Sequence, residues 1–245
     1  MLEVNSISKR FGDFHAVKGV SFNANQGEVL GFLGPNGAGK STTMKMITGF
    51  LEATNGDAII CGNSIQKNTL EAKKNLGYVP ENAPLYEDMY VREFLEFIAK
   101  MRGIETHLIE NRVREVIKMC ALESVEFQKI ETLSKGYKRR VSLAQSLVHD
   151  PKVLILDEPT DGLDPNQKHD VRELIKKLAK EKCILISTHI LEEVEEVCDR
   201  CIIIGEGEKL FEGTPNELKL KSDNGRIQDV FRAITTGHEI QGVAV

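Results

Sequence analysis

The chain has 245 residues, of which 41% are apolar and 28% charged, with 37 acidic against 32 basic side chains. This apolar fraction excludes a disordered chain, and 20 glycines and 7 prolines without a period exclude a collagen-like one. The net charge of −5 argues against binding nucleic acid through a broad cationic face, so no nucleic-acid partner is expected.

The sequence contains no long apolar segment. No stretch reaches the ~18–20 apolar residues that a membrane-spanning helix needs, and no signal peptide is visible at the N-terminus. Five cysteines, mostly in apolar surroundings, are typical of reduced thiols in the cytosol. Cys198 and Cys201 have redox or metal spacing, but nothing nearby completes a site, so core packing is expected for them.

The first third of the chain has the pattern of strands and turns. Apolar and polar residues alternate over 20–25, which predicts a half-buried strand, and Val29–Leu33 is a short buried candidate. Ala58–Cys61 and Leu76–Val79 are further strand candidates, each bounded by glycine or proline.

Helical periodicity replaces this pattern after Pro84, so the segment 85–150 is predicted to be mostly helical. Strands and helices then alternate, with strands at Val153–Leu156, Cys183–Ser187 and Ile202–Ile204 and helices near 166–181 and 190–198. Such alternation indicates βαβ units, and we expect an α/β fold with a mainly parallel sheet. The polar tail contains one amphipathic helix candidate, at 227–235.

A phosphate-binding loop is the first motif that carries chemistry. Gly34–Ser41 (GPNGAGKS) fits G-x-x-x-x-G-K-[ST] without a mismatch, after a predicted strand and before a helix. Its glycines allow successive N–H groups to point into one anion-sized cavity, and the helix N-terminus adds partial positive charge. Lys40 would contact the β- and γ-phosphates, and the Ser41 hydroxyl would be a Mg²⁺ ligand. The motif alone predicts only a nucleoside triphosphate.

Two acids end the strand Val153–Leu156, which places them at the sheet edge where ligands bind in parallel α/β folds. Asp157 is expected in the Mg²⁺ shell, and Glu158 as the general base that polarises the attacking water. His189 follows the strand Cys183–Ser187 and is expected at the same edge, within reach of the γ-phosphate.

The segment Leu133–Tyr137 (LSKGY) precedes a predicted helix, with Ser134 as a plausible N-cap. It could receive a second phosphate or be a plain capped helix. With it, the order of motifs resembles the nucleotide-binding subunit of ATP-binding-cassette (ABC) transporters over nearly the whole chain. The amino-acid sequences of two segments, Leu76–Tyr86 and Leu133–Arg140, resemble those of the family branch that includes gliding-motility and multidrug or bacteriocin-export ATPases.

The resemblance implies a P-loop fold with a parallel core sheet, an N-terminal antiparallel β part and an inserted helical subdomain. It implies a single cassette, with the core at 1–84 and 151–218, the helical signature subdomain at 85–150 and a C-terminal tail at 219–245 with a short helix. The site residues that it implies fall into three groups. Catalysis falls to Lys40, Glu158 and His189; Mg²⁺ binding to Ser41, Asp157 and Glu81; and ATP binding to Phe11, Gly34, Pro35, Asn36, Gly37, Ala38, Gly39, Lys40, Ser41, Thr42, Ser134 and Gly136.

Four positions depart from the family pattern, one of them Asp161, which stands where the D-loop usually has serine or alanine. Glu81 stands where the Q-loop normally has glutamine; it can approach Mg²⁺ or its waters but cannot donate a hydrogen bond. In the signature, Lys135 replaces the first glycine and Tyr137 the glutamine.

The resemblance further implies that two subunits, expected to be a homodimer, sandwich two ATP molecules, so that one chain's signature faces the other chain's phosphate loop. Hydrolysis would reopen the pair and drive export through a separate membrane permease, which docks near Tyr86–Met89 and the helix after it. The subunit would then lie on the cytoplasmic face of the cell membrane.

Three alternatives are weighed against this interpretation. A P-loop GTPase would carry an Asn-Lys-x-Asp motif, which is absent, and a metabolite kinase would lack the signature and the histidine. A soluble ABC ATPase that remodels a macromolecular complex usually has two cassettes or a long coiled coil, for which 245 residues leave no room.

Overall fold

A computed structural model describes residues 1–82, 84–237 and 243. The strands are β1 (Leu2–Phe11), β2 (Phe14–Ala24), β3 (Val29–Leu33), β4 (Asn55–Ile60), β5 (Asn63–Ser64), β6 (Leu76–Val79), β7 (Val153–Asp157), β8 (Cys183–Thr188), β9 (Arg200–Gly205) and β10 (Glu208–Gly213). The helices are α1 (Lys40–Ile47), α2 (Thr69–Lys74), α3 (Val91–Met101), α4 (Thr106–Met119), α5 (Lys135–Leu147), α6 (Pro165–Ala179), α7 (Leu191–Val197), α8 (Pro215–Leu220) and α9 (Ile227–Thr236).

The larger sheet has the strand order β10-β9-β3-β8-β7-β6, and all neighbours are parallel except the edge pair β10 and β9. Its central strands are apolar on both faces, as strands covered on both sides must be. Leu154 and Leu156 pack into one core, while Val153 and Ile155 pack into the other. The predicted P-loop α/β fold with a mainly parallel sheet is confirmed.

The smaller sheet is antiparallel, with the order β2-β1-β4-β5. Sequence analysis predicted parts of β2 and β4 but missed β1. The reason is a β-bulge, because Ser6 has a φ of +46° and the pairing register shifts between Val4 and Ile7. The bulge interrupts the period of two by which a strand is recognised.

Helix α1 lies between the two sheets. Met44, Met46 and Ile47 are buried in a core that contains side chains from both sheets. The phosphate loop, which directly precedes α1, is therefore anchored by a helix packed into the core between the two sheets.

Helices α3, α4 and α5 follow β6 and precede β7, in agreement with the helical character predicted for 85–150. They pack against the other face of the parallel sheet in one continuous core. At the C-terminus, α9 confirms the predicted amphipathic helix, whereas α8 was not predicted. Within the predicted tail, residues 238–242, 244 and 245 lie outside the described part.

All five cysteines are free thiols, and Cys198 and Cys201 are buried in the core, as expected. Among the residues that the structure describes, no helix has the length and apolar character needed to cross a bilayer.

Candidate active site

The phosphate loop runs from the end of β3 to the start of α1, and its glycines are required sterically. Gly39 has a φ of +102°, and a Cβ there would lie 2.6 Å from the Ala16 carbonyl oxygen. A Cβ on Gly34 would lie 2.5 Å from the Ile204 carbonyl oxygen. The loop is thus pressed between neighbouring strands, in a curl that side chains larger than hydrogen would prevent.

Lys40 is buried and links this loop to the end of β7. Its Nζ donates to the carbonyl oxygens of Gly34 at 2.7 Å and Pro35 at 3.3 Å, and lies 3.7 Å from Glu158 Oε1. Burial lowers the pKa of Lys40, while the charges of Glu158 and Asp157 oppose that shift. The ammonium group therefore stands between the phosphate loop and the acid pair.

Asp157 is a carboxylate with 1% exposure at the carboxyl end of β7. The Ser187 hydroxyl donates to its Oδ1, and the Ser41 hydroxyl lies 3.4 Å from the same oxygen. Among the described residues Asp157 forms no ion pair. A buried carboxylate beside a hydroxyl oxygen suits Mg²⁺, because this cation prefers oxygen ligands. Phosphate and water oxygens usually complete its coordination shell.

Glu158 is held in an unusual backbone conformation. Its φ is +51°, in the left-handed region that favours glycine, and its N–H donates to the Ser187 carbonyl oxygen at 3.0 Å. Its Oε2 lies 2.8 Å from His189 Nδ1, so the carboxylate sits between His189 and Lys40. Burial raises the pKa of Glu158, opposed by His189 and Lys40. A raised pKa suits a general base.

Lys40, Asp157, Glu158 and His189, here called the catalytic edge, thus meet at one end of the parallel sheet. The strands explain this convergence, since β7 and β8 are parallel neighbours in which Asp157 is directly opposite Ser187. Sequence analysis missed Ser187, although its position two residues before His189 on a predicted strand contained the signal.

Two further predicted residues lie on segments that adjoin this edge or the phosphate loop. Glu81 is exposed after β6 and lines, with Ser41 and Asp157, a groove of about 1160 Å³. Phe11, at the tip of the β1–β2 hairpin, is 49% exposed, and the Lys9 ammonium lies 5.3 Å from its ring centroid. The same hairpin reaches the phosphate loop through Ala16, which packs against it.

Ser134 and Gly136, here called the signature end, begin helix α5 elsewhere. The Ser134 hydroxyl caps the helix by accepting a bond from the Tyr137 N–H at 3.4 Å, and the side chain is exposed. Gly136 is in close contact with Gln167, and a Cβ there would lie 2.6 Å from that side chain. Within the described ranges, no hydrogen bond or ion pair joins the signature end to the phosphate loop.

Sequence analysis also missed Arg139, which donates to backbone carbonyls around Glu158. A signal existed, because Arg139 is four residues before the buried Leu143 and so lies on the core-facing side of α5.

A complete phosphate loop next to an acid pair and a histidine defines a P-loop nucleoside triphosphatase. The family model described as ABC transporter matches residues 17–161. The Nod factor export ATP-binding protein I of Burkholderia lata is 41% identical over 89% of this chain and 72% of its own length. The linearmycin resistance ATP-binding protein LnrL of Bacillus subtilis is 41% identical over 89% of this chain and 70% of its own.

Solved structures with a similar fold belong to the same family. One described as the ATP-binding subunit of an ABC transporter is 29% identical, with a TM-score of 0.85 over 96% of this chain and 99% of that one. The dimeric ABC transporter cassette MJ0796 is 25% identical, with a TM-score of 0.79 over 87% of this chain and 98% of that one. The chain therefore belongs to the ABC transporter family as an ATP-binding subunit, and it is an ATPase.

Proposed function

We propose that two copies of this chain close around two ATP molecules and use hydrolysis to drive export through a separate membrane permease. The observation that carries this proposal is the division of phosphate-binding features. The phosphate loop is complete at the catalytic edge, whereas at the signature end the Ser134 side chain is exposed, and in the described ranges no hydrogen bond or ion pair joins that end to the loop. A second copy supplies the missing half, as closed two-fold symmetry allows.

Each catalytic-edge residue has a proposed role in hydrolysis. Glu158 accepts a proton from water, whose oxygen attacks the γ-phosphorus, and the bond from that phosphorus to the β–γ bridging oxygen breaks to release ADP. His189 holds Glu158 and contacts the γ-phosphate, while Lys40 neutralises charge on the β- and γ-phosphates. Ser134 and Gly136 from the other copy bind that γ-phosphate.

The remaining site residues bind nucleotide and metal. Ser41 and Asp157 would hold Mg²⁺ with Glu81 near its waters, and the ion supplies charge neutralisation at the phosphates. Phe11 would stack on the adenine. The loop that wraps the phosphates consists of Gly34, Pro35, Asn36, Gly37, Ala38, Gly39, Lys40, Ser41 and Thr42.

Replacing Lys40 tests the phosphate-loop assignment. Lys40→Ala removes the cation from the loop, so the dissociation constant for ATP, measured by fluorescence with a labelled analogue, should rise about 10- to 100-fold. Lys45→Ala, in the same helix but outside the loop, is the matched control. An unchanged dissociation constant in Lys40→Ala would contradict the assignment.

The groove beside Glu81 is the proposed permease site. It is lined by exposed apolar side chains, including Phe50 and Leu70, each 77% exposed, and Met101, 70% exposed. A groove lined by several exposed apolar side chains is suited to contact with another protein. Tyr86, which sequence analysis favoured, is 54% exposed but packs edge-on against Phe94 and Phe97 beside the groove.

Charged substitutions in the groove test the transport role. With the candidate permease in proteoliposomes, Leu70→Glu and Met101→Glu should abolish stimulation of ATP hydrolysis and keep the basal rate. Leu220→Glu, at a leucine that is 86% exposed outside the groove, should keep both. Equal stimulation in all variants would contradict this site.

Export is supported by the name of one relative, the Nod factor export ATP-binding protein I. A place on the cytoplasmic face of the membrane is proposed from the proposed contact with a permease. The alternative is a soluble ABC ATPase that remodels a macromolecular complex. Hydrolysis that no membrane protein stimulates would favour it.

A further inference from the structure

Arg139, on helix α5, has all five guanidinium N–H groups directed at backbone carbonyl oxygens. These carbonyls belong to two separate segments, the end of β7 and the start of the loop that carries Glu81. The acceptors are Pro159 (2.9 Å from Nε), Asp157 (2.8 Å from Nη2), Glu158 (from Nη2), and Pro80 and Glu81 (each 3.0 Å from Nη1).

The guanidinium is buried, with 9% of Arg139 exposed, and it forms no ion pair in the part of the chain that the structure describes. Burial lowers the pKa of Arg139, while nearby carboxylates, chiefly Asp157 and Asp161, favour its charged form. Because all its donors are used, the planar group has one position and one orientation. The guanidinium group therefore forms a rigid link between the end of β7 and the start of the Glu81 loop.

Three of the five carbonyls are consecutive, from Asp157 to Pro159, and the middle one belongs to Glu158, the residue with a φ of +51°. Arg139 therefore holds the backbone before, at and after the residue whose left-handed conformation directs its carboxylate to Lys40 and His189.

We propose that Arg139 is a positioning residue for hydrolysis: it fixes Glu158 where it accepts the proton of the attacking water, and it joins this residue to the Glu81 loop and to α5. This inference rests on the proposed role of Glu158 as general base. Helix α5 begins at the signature end, which in the proposed dimer contacts the ATP bound by the second copy. Arg139 therefore connects this helix to Glu158, the base that acts on the ATP bound by its own copy.

Two substitutions test the proposal in the full-length chain. Arg139→Met removes all donors at similar length, and Arg139→Lys keeps the charge on a single nitrogen that cannot reach both segments. Both should bind ATP within about twofold of wild type, with an unchanged KM, while kcat falls about tenfold or more in Arg139→Met and less in Arg139→Lys. Wild-type kcat in both would overturn the proposal; if Arg139→Met does not fold, Arg139→Lys decides.

Arg112 offers a matched control, since its Nη2 and Nε donate to the carbonyls of Leu147 at 2.7 Å and Val148 at 2.9 Å, at the other end of α5. Arg112→Met should lower the thermal midpoint without changing kcat. If it lowers kcat as much as Arg139→Met does, the effect is general loss of packing and the proposal fails.

A double-mutant cycle separates this inference from the assignment of Glu158. If Arg139 acts through Glu158, Glu158→Gln with Arg139→Met should be no slower than Glu158→Gln alone. Multiplied losses would overturn the positioning role. Wild-type turnover in Glu158→Gln would instead overturn the general-base assignment, whatever Arg139→Met does.

Discussion

The catalytic edge and the signature end differ in how completely each is built within one chain. At the catalytic edge, Lys40, Asp157 and Glu158 are all buried, with each polar group held by a loop carbonyl, a hydroxyl or a histidine. At the signature end, Ser134 is exposed, and its hydroxyl makes one local capping bond. The catalytic edge is thus preorganised within one chain. The signature end instead presents a surface that is suited to contact with a second molecule.

This difference separates the groups that one chain positions by itself from the groups that need a second copy. Packing between the two sheets holds the groups to which the proposed function assigns the chemistry, so their relative positions are set before ATP arrives. In the proposed dimer the groups that complete the site come from a surface, so closure around ATP could be made and broken in each cycle. The two regions should therefore respond differently to substitution.

The largest effect is expected at the catalytic edge. Glu158→Gln removes the general base but keeps the size of the side chain, so kcat should fall about 1,000-fold while ATP binding persists. ATP-bound dimer should accumulate, as measured by size-exclusion chromatography with light scattering. Glu173→Gln, at a surface ion pair with Lys176, should behave like wild type. Near-normal turnover in Glu158→Gln would refute the assignment.

The next effect is expected at the signature end. Aspartate is as good an N-cap as serine, so Ser134→Asp should keep helix α5 while placing a negative charge against the other copy's γ-phosphate. Hydrolysis should fall about 100-fold and ATP-induced dimerisation should be lost, with monomer ATP affinity unchanged. Ser134→Thr keeps a hydroxyl and should stay close to wild type. A normal dimer in Ser134→Asp would show that this surface does not meet nucleotide.

A smaller effect concerns the packing that joins α5 to the sheet. His149 Nε2 lies 2.9 Å from the Leu76 carbonyl oxygen, so this nitrogen carries the proton, and the buried Nδ1 has no hydrogen-bond partner among the residues that the structure describes. Burial, with the charge of Arg102, lowers the pKa of His149 from 6.5 to about 4. The unfolded chain therefore binds more protons between these values, and stability should fall as the pH drops from 6.5 to 4.

The expected loss in the free energy of unfolding is about 2 to 3 kcal/mol, measured by urea denaturation at both ends of this pH range. His149→Gln can still donate to Leu76 and should flatten the pH dependence. His107→Gln, at an exposed histidine, should leave the pH dependence as it is in wild type. The same slope in wild type and His149→Gln would contradict the interpretation.

The smallest effect is expected at the hairpin. Phe11→Ala should raise the dissociation constant for ATP about fivefold, because one stacked aromatic ring is lost. Phe14 lies on the other side of the same turn and is 65% exposed, compared with 49% for Phe11. Phe14→Ala should therefore change the dissociation constant for ATP little. Equal effects of the two changes, measured by isothermal titration calorimetry, would rule out a specific stack on Phe11.

The sequence allowed the catalytic edge to be predicted more fully than the rest of the molecule. Continuous apolar runs such as Val153–Leu156 determine their own burial, and the parallel register then brings Asp157 and His189 to one edge. The strand containing Ser6 was missed because a bulge breaks its period. Arg139 was missed because its position on the buried side of α5 does not reveal its acceptors: they are backbone carbonyls, which no residue type in the sequence marks.

The central claim is that one copy's catalytic edge works with the other copy's signature end, and mixing two inactive variants tests it directly. In a mixed dimer of Glu158→Gln and Ser134→Asp, one of the two sites combines an intact Glu158 with an intact Ser134. An equal mixture should therefore recover activity up to about a quarter of the wild-type ATPase rate, the value for random pairing, and less because Glu158→Gln also pairs with itself. A rate no higher than the average of the two variants measured separately would contradict a site shared between copies.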